Sequence, residues 1–240
     1  MNHFSTDRLD LFYAKEDHCA NPKEYFKSAF NLISKRRSFH SHTHIVDVGC
    51  ACGDFLRYVN LNAPQLSISG VDKFPEMIAE ASRRLPNANF YLADLNTDPD
   101  LFVCPVPDGG ARIVTMLGVL SIFSSKNWIE NLSAFIGSNG YGLIFGMINP
   151  YPYDVFISAA DQDGTIHYGW NSWSLDTLSR EFLKFGYKVN CVRWSTPIDI
   201  EYSSDNPLRS WTVKTAKGDN ITVNGTRMVH DYAFLEILPQ

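Results

Sequence analysis

The stretch DVGCACGDF at residues 47–55 holds the residues best placed for chemistry in this chain of 240 residues. Asp47 closes the apolar run HIVD, and Gly49 and Gly53 bracket a turn whose intervening residues, Cys50, Ala51 and Cys52, are small. Glycine permits positive φ in such a turn and lets backbone N–H groups approach a ligand closely. A carboxylate just before the turn opposes a phosphate but suits a ligand that carries an ammonium group. Two more aspartates, Asp72 in SISGVD and Asp94 in NFYLAD, close later apolar runs. His167 in TIHYGW is a further candidate, because histidine titrates near neutrality.

Elements must hold these residues in place. Between residues 44 and 148 the pattern alternates strands (45–49, 67–72, 89–93, 111–117, 140–148) with helices (54–62, 75–84, 125–137), and a short turn or helix lies near 97–102. This alternation predicts an α/β fold: right-handed crossovers and a mostly parallel sheet covered on both faces, with ligands beyond the carboxyl ends of the strands. Upstream, Tyr25, Phe26, Ala29, Phe30 and Ile33 form a helical apolar stripe after the Asn21-Pro22 start, and Lys35-Arg36-Arg37 reads as its solvated basic end. His40, His42 and His44 alternate as a polar lead-in to the first strand.

Downstream, the proline- and aromatic-rich segment 149–173 reads as a functional loop. A helix then starts at the Ser174 cap, with Leu175, Leu178, Phe182, Leu183 and Phe185 on its apolar face and Gly186 at its stop. YKVNCVRW predicts a sixth strand, a hairpin follows with turns at 218–220 and 224–225, and AFLEIL predicts the last strand. One domain is expected, with a helical cap at 1–43, a ligand-binding half at 44–148, and a lid loop plus substrate half at 149–240.

A net charge of −5 argues against nucleic acid or an anionic membrane as partner. The start, MNHFSTDRLDLF, lacks a signal-peptide core, and no run has the length of a membrane helix. The five cysteines, at 19, 50, 52, 104 and 191, form neither a disulfide ladder nor paired metal knuckles, so a reduced, cytoplasmic protein is expected.

Taken together, these motifs resemble class I S-adenosylmethionine-dependent methyltransferases over residues 44–194 and the final strand. The resemblance implies a single Rossmann-like domain with a seven-stranded, mostly parallel sheet, the last strand antiparallel, an N-terminal helical extension and a β-hairpin insertion near the C-terminus. Asp47, Gly49, Cys50, Ala51, Gly53 and Phe55 fall on the family's first motif, where the loop passes under the amino-acid part of the cofactor. Asp72 would accept from both ribose hydroxyls, its carboxylate offering two oxygens to two neighbouring donors. Lys73 would flank the adenine, Asp94 would accept from the adenine amino group, and the Leu95 N–H would serve a ring nitrogen. Met116 and Leu117 would line the methionine portion, and Tyr13 belongs to a segment that closes over the cofactor in related enzymes. A nicotinamide dinucleotide fold would need G-x-G-x-x-G, whereas this turn has only Gly49 and Gly53, and Asp47 would oppose a pyrophosphate.

The acceptor follows by exclusion. Asn149-Pro150-Tyr151-Pro152-Tyr153 imitates the clamp of amino-modifying DNA enzymes but follows the fifth strand, and its prolines are not adjacent. Cys104-Pro105 reverses the order that cytosine-C5 enzymes use, and no aspartate follows the fourth strand for a catechol-type metal site. The expectation is metal-independent, in-line methyl transfer to a hydroxyl of a sugar or small metabolite, with His167 as general base and Tyr168, His230 and Tyr13 in reserve. The N-terminal FYAKED and NPKEYF with GWNSWSLDTL resemble bacterial methyltransferases found with polysaccharide biosynthesis. Tyr151, Tyr153, Tyr168, Trp170 and Trp173 either stack on the acceptor or pack the loop on the sheet. A peptide or protein methyltransferase and a non-catalytic S-adenosylmethionine-binding protein are the alternatives. The chain is expected as a monomer or homodimer.

Overall fold

In the computed structural model, residues 18, 21–36, 43–97, 112–198, 210–225 and 227–240 are described. The expectations for Tyr13, His40, His42, Arg37, Cys19, the Cys104-Pro105 pair and the turn beyond residue 97 lie outside these residues.

Helix α1 (Glu24–Arg36) precedes β1 (His44–Val48), α2 (Asp54–Asn62), β2 (Ser67–Asp72), α3 (Pro75–Arg84), β3 (Asn89–Leu92) and β4 (Arg112–Leu117). After a 3₁₀ turn at Leu120–Ile122 come α4 (Asn127–Ile136) and β5 (Tyr141–Asn149). Next are the short strands β6 (Ser158–Ala160), β7 (Ile166–Tyr168) and β8 (Trp173–Ser174), then α5 (Leu175–Leu183) and β9 (Tyr187–Arg193). The chain finishes with β10 (Trp211–Lys214), β11 (Asn220–Val223) and β12 (Val229–Pro239).

The sheet runs β3-β2-β1-β4-β5-β12, with parallel pairing from β3 to β5 and β12 antiparallel to β5. β9 pairs with the C-terminal part of β12 and the β11–β10 hairpin with its start, so seven main strands are extended by the hairpin near the C-terminus. Strand order reverses between β1 and β4, which opens a crevice at their carboxyl ends. All five residues of β1 are buried, as expected for a central parallel strand covered on both faces.

The core lies on both sides of the sheet. Ile45, Phe55, Phe145 and Phe234 pack with α1 and α2 on one face; Val46, Met116, Trp128 and Phe182 pack with α4 and α5 on the other. Arg36 is not simply a solvated helix end. Its guanidinium forks onto the fully buried Glu236 of β12 at 2.7 and 2.9 Å, and Tyr141 Oη and Asn190 Nδ2 also donate to that carboxylate. These donors hold Glu236 below the usual carboxylate range against the upward pressure of burial, and they fix α1 to the sheet.

Two further expectations need correction. α5 ends at Leu183, and both Leu183 and Phe185 are exposed, because the chain has left the helix before Phe185 can face the core. The segment 149–173 is not a bare loop. It contains the β6–β7 hairpin, adds β8 to the end of β5, and is tied to the start of α5 by Asp154, whose carboxylate accepts from Ser174 N and Thr177 Oγ1.

Candidate functional site

The crevice between β1 and β4 is lined first by the glycine turn. Gly49 has φ +73°, and a Cβ there would lie 2.4 Å from Val119 Cγ2 in the segment after β4, so both conformation and space demand glycine. Gly53, also left-handed at φ +77°, begins α2. Between them Ala51 takes φ +45°, an unfavourable conformation for a residue with a side chain. Its N–H donates to Asp72 Oδ2 at 2.9 Å, which offsets that strain and ties the turn to the end of β2. Gly49 N and Cys50 N donate to Val71 O. Gly70 on β2 leaves room for Cys50 Sγ and the Phe90 ring, which would lie 2.6 and 2.7 Å from a Cβ. The Cys50 and Cys52 thiols are free and buried, Cys52 directed at Met77 Sδ, and burial pushes both up in pKa.

The two carboxylates beside the turn differ in their partners. Asp47 is buried and accepts from Thr115 Oγ1 at 2.6 Å across the β1–β4 pairing. Burial raises it from 3.8 to about 7; the Thr115 bond opposes that rise and the nearby Asp72 charge adds to it. Asp72 accepts from Ala51 N on one oxygen and from Phe74 N at 3.1 Å on the other. Burial raises Asp72 too, and the backbone N–H groups counter it. An ionised carboxylate has about four lone-pair directions, so each Asp72 oxygen keeps capacity for another donor.

Asp94 lies just beyond β3. Its Oδ1 accepts from Asn96 N at 2.8 Å, and Oδ2 has no hydrogen bond among the described residues. The Leu95 carbonyl is held by Asn131 Nδ2 of α4 at 2.6 Å, fixing the backbone there. Lys73 is exposed, its Nζ 4.7 Å from the Phe74 ring centroid. Phe55 and Met116 do not line the crevice: Phe55 packs against Phe26 and Met116 is fully enclosed in the core, because alternation along β4 sends Met116 to the α4 face. Leu117 is also largely buried, so Gly118 is the open residue at the end of β4.

The lid segment is fastened beside this opening. Asn171 N donates to Ser121 O, Asn171 Nδ2 to Phe123 O and Trp173 Nε1 to Phe123 O, all in the stretch after β4. Trp170 and Trp173 are therefore core residues and cannot stack on an acceptor, whereas Tyr151, Tyr153 and Tyr168 are exposed. His167 does not stand ready as an unengaged base. Its Nε2 lies 2.9 Å from Asp161 Oδ2 within the β6–β7 hairpin, and this contact holds Asp161 below the usual range. His230, held in reserve, is buried at the start of β12, and its Nε2 has no hydrogen-bond partner among the described residues.

Sequence reading missed Tyr25, Thr115 and Val119 as site residues. In sequence Tyr25 is one member of a helical stripe, yet its hydroxyl would lie 3.8 Å from a Cβ at Gly118. Thr115 and Val119 carry no motif; only pairing and turn geometry bring them to Asp47 and Gly49. Among the described residues no cluster of side chains could hold a metal ion, and no helix is long and apolar enough to cross a membrane.

Comparisons with known proteins point to methyltransferases. A family described as "Methyltransferase domain" matches residues 45–138. Trans-aconitate 2-methyltransferase of Escherichia coli O1:K1 / APEC is 32% identical over 123 residues, which is 45% of this chain and 48% of that protein. A counterpart from Klebsiella pneumoniae (strain 342) is 38% identical over 52 residues, 22% of this chain and 21% of its own. The chain thus spans half or less of the length of these relatives. Among solved structures, an S-adenosylmethionine-dependent methyltransferase from Clostridium acetobutylicum ATCC 824 superposes with TM-score 0.58 at 9% identity, covering 97% of this chain and 99% of its own. The O-methyltransferase NcsB1 of neocarzinostatin biosynthesis, solved with S-adenosylmethionine and a naphthoic acid, gives TM-score 0.52 at 14% identity over 97% of this chain and 57% of its own. At these identities the structures show a shared fold.

Proposed function

We propose, for a chain that carries a methyltransferase domain on the class I fold, that it binds S-adenosylmethionine over the ends of β1, β2 and β3 and methylates a hydroxyl of a small ring-bearing molecule. The observation that carries this reading is the set of three aspartates at the ends of neighbouring strands, Asp47, Asp72 and Asp94, around a turn in which Gly49 has no room for a side chain. The residues fit such a cofactor. Asp72 has remaining lone pairs for vicinal ribose hydroxyls, and Asp94 Oδ2 has no hydrogen bond among the described residues. The Leu95 backbone, fixed by Asn131, fits an adenine edge. Exposed Lys73 suits the outer side of the adenine, and the Gly49–Gly53 turn admits an amino-acid tail.

The bound cofactor would supply an electrophilic methyl group on a sulfonium. The protein's own part is alignment: the turn is fastened through Ala51 to Asp72 and wedged by Val119, so its backbone needs little rearrangement when a ligand arrives. Asp47, half-titrated near neutrality, offers negative charge to an ammonium above the turn once it ionises.

The acceptor is a sugar, a glycan precursor or another small hydroxylated metabolite, and the chain works in the cytoplasm as a monomer or homodimer without nucleic acid or membrane. The trans-aconitate and naphthoic-acid enzymes among its likenesses support a small molecule as acceptor. The test is a screen for S-adenosylhomocysteine release against nucleotide sugars, hydroxylated ring compounds and peptides. Turnover with a member of either class supports the reading. Turnover only with peptides would replace it with a protein methyltransferase.

A further inference from the structure

One face of the sheet, at the cofactor end, carries an aromatic wall with unmet hydrogen-bonding capacity. Phe145 of β5 is buried at its centre, with Tyr25 of α1 stacked at 4.7 Å between ring centroids and Tyr232 of β12 at 5.4 Å. Trp194, directly after β9, meets Phe145 edge-on at 5.1 Å and Tyr232 at 6.3 Å. Tyr25, Trp194 and Tyr232 are each only half-buried, so the wall is open on one side.

The wall borders the crevice through Gly118. That residue is exposed, its N–H donates to Phe145 O, and the Tyr25 hydroxyl stands beside it. Strand alternation places His230, Tyr232 and Phe234 on one face of β12, and Asp231 pairs with Ile148 near the end of β5. His230 is therefore one same-face step beyond Tyr232, toward the crevice.

Two ring nitrogens here are enclosed and unpartnered among the described residues: Trp194 Nε1 and His230 Nε2. An enclosed polar atom without a partner costs about 1–3 kcal/mol, so such atoms call for a water or a ligand group. The indole nitrogen can only donate; the imidazole nitrogen accepts in one tautomer and donates in the other.

We propose that Tyr25, Trp194, Tyr232 and His230 receive the methyl acceptor, as a six-membered ring presented by its face whose hydroxyl accepts from Trp194 Nε1–H and donates to His230 Nε2. The inference rests on the methyltransferase reading above and adds the acceptor's chemistry to it. An aromatic alcohol and a sugar share the needed features, a face that packs on aromatic rings and a ring hydroxyl. A carboxylate without a ring would leave the wall unused.

The test uses the isotope-labelled full chain saturated with S-adenosylhomocysteine. The Trp194 indole N–H resonance is assigned by its loss in Trp194→Phe. The sample is titrated to millimolar levels with 1-naphthol and, separately, with methyl α-D-glucopyranoside. The expected result is movement of the Trp194 resonance with one of the probes, naming an aromatic or a sugar acceptor, and affinity for that probe about tenfold weaker in His230→Ala. S-adenosylhomocysteine titration of each variant reports that it folds. A Trp194 resonance unmoved by both probes in a chain that binds S-adenosylhomocysteine overturns the inference alone, and unchanged probe affinity in His230→Ala removes His230 from it. A folded wild-type chain that does not bind S-adenosylhomocysteine overturns the methyltransferase reading and this inference with it.

Discussion

The two sides of the crevice are built differently. On the β1–β2–β3 side, every carboxylate already accepts a hydrogen bond before any ligand arrives, Asp47 from Thr115, Asp72 from Ala51 and Phe74, Asp94 from Asn96, and spare lone pairs remain on Asp72 and Asp94. On the β5–β12–β9 side, aromatic rings pack closely while two ring nitrogens stay enclosed without partners among the described residues. The first side has the preorganisation of a site for a fixed ligand. The second leaves two ring nitrogens wholly unengaged among the described residues.

The comparison breaks most readily at Asp72. Asp72→Ala removes both the anchor of Ala51 and the carboxylate offered to the ribose. Two charge-assisted hydrogen bonds at about 1.5–3 kcal/mol each predict at least about a hundredfold loss of S-adenosylhomocysteine affinity by calorimetry; unchanged affinity would show that the strand-end register is misassigned. Gly49→Ala meets a left-handed φ and Val119 together, so a loss of about 2–4 kcal/mol is expected in denaturant unfolding. A loss below half a kilocalorie would mean that the turn adapts freely.

Asp47→Asn tests the same side through pH. A folded-state carboxyl raised from 3.8 to about 7 favours the protonated folded form, so its contribution to stability is greatest below the unfolded value and declines as pH rises toward 7. Between pH 5.5 and 7 the wild type should lose up to about 2 kcal/mol relative to the Asn variant. Parallel pH profiles would rule out the raised carboxyl. The smallest effect is expected at His167. With its imidazole on Asp161 in an exposed hairpin, His167→Ala should change turnover by less than about twofold; loss of turnover would return the base to that hairpin.

The legible part of the sequence follows the first side. Strands β1, β2 and β3 and helices α2 and α3 are consecutive, each of the three strands has a motif aspartate within two residues of its end, and periodicity locates them to within a residue or so. The second side joins Tyr25, Phe145, Trp194 and Tyr232, far apart in sequence, through antiparallel pairing of β12 with β5 and β9 that no local pattern encodes. His167 looked suitable because the sequence does not show that Asp161 shares its hairpin. The sequence leaves Trp173 open between stacking and packing because the acceptor of its N–H, the Phe123 carbonyl, lies fifty residues upstream. Phe55 and Met116 fell on the right motif, yet their side chains turn to the core, a distinction of face that spacing along a motif cannot carry.

Calorimetric titration of the purified wild-type chain with S-adenosylhomocysteine tests the central claim most directly. One site with micromolar affinity is predicted. Absence of binding at millimolar ligand, in a chain shown to be folded, would contradict the account.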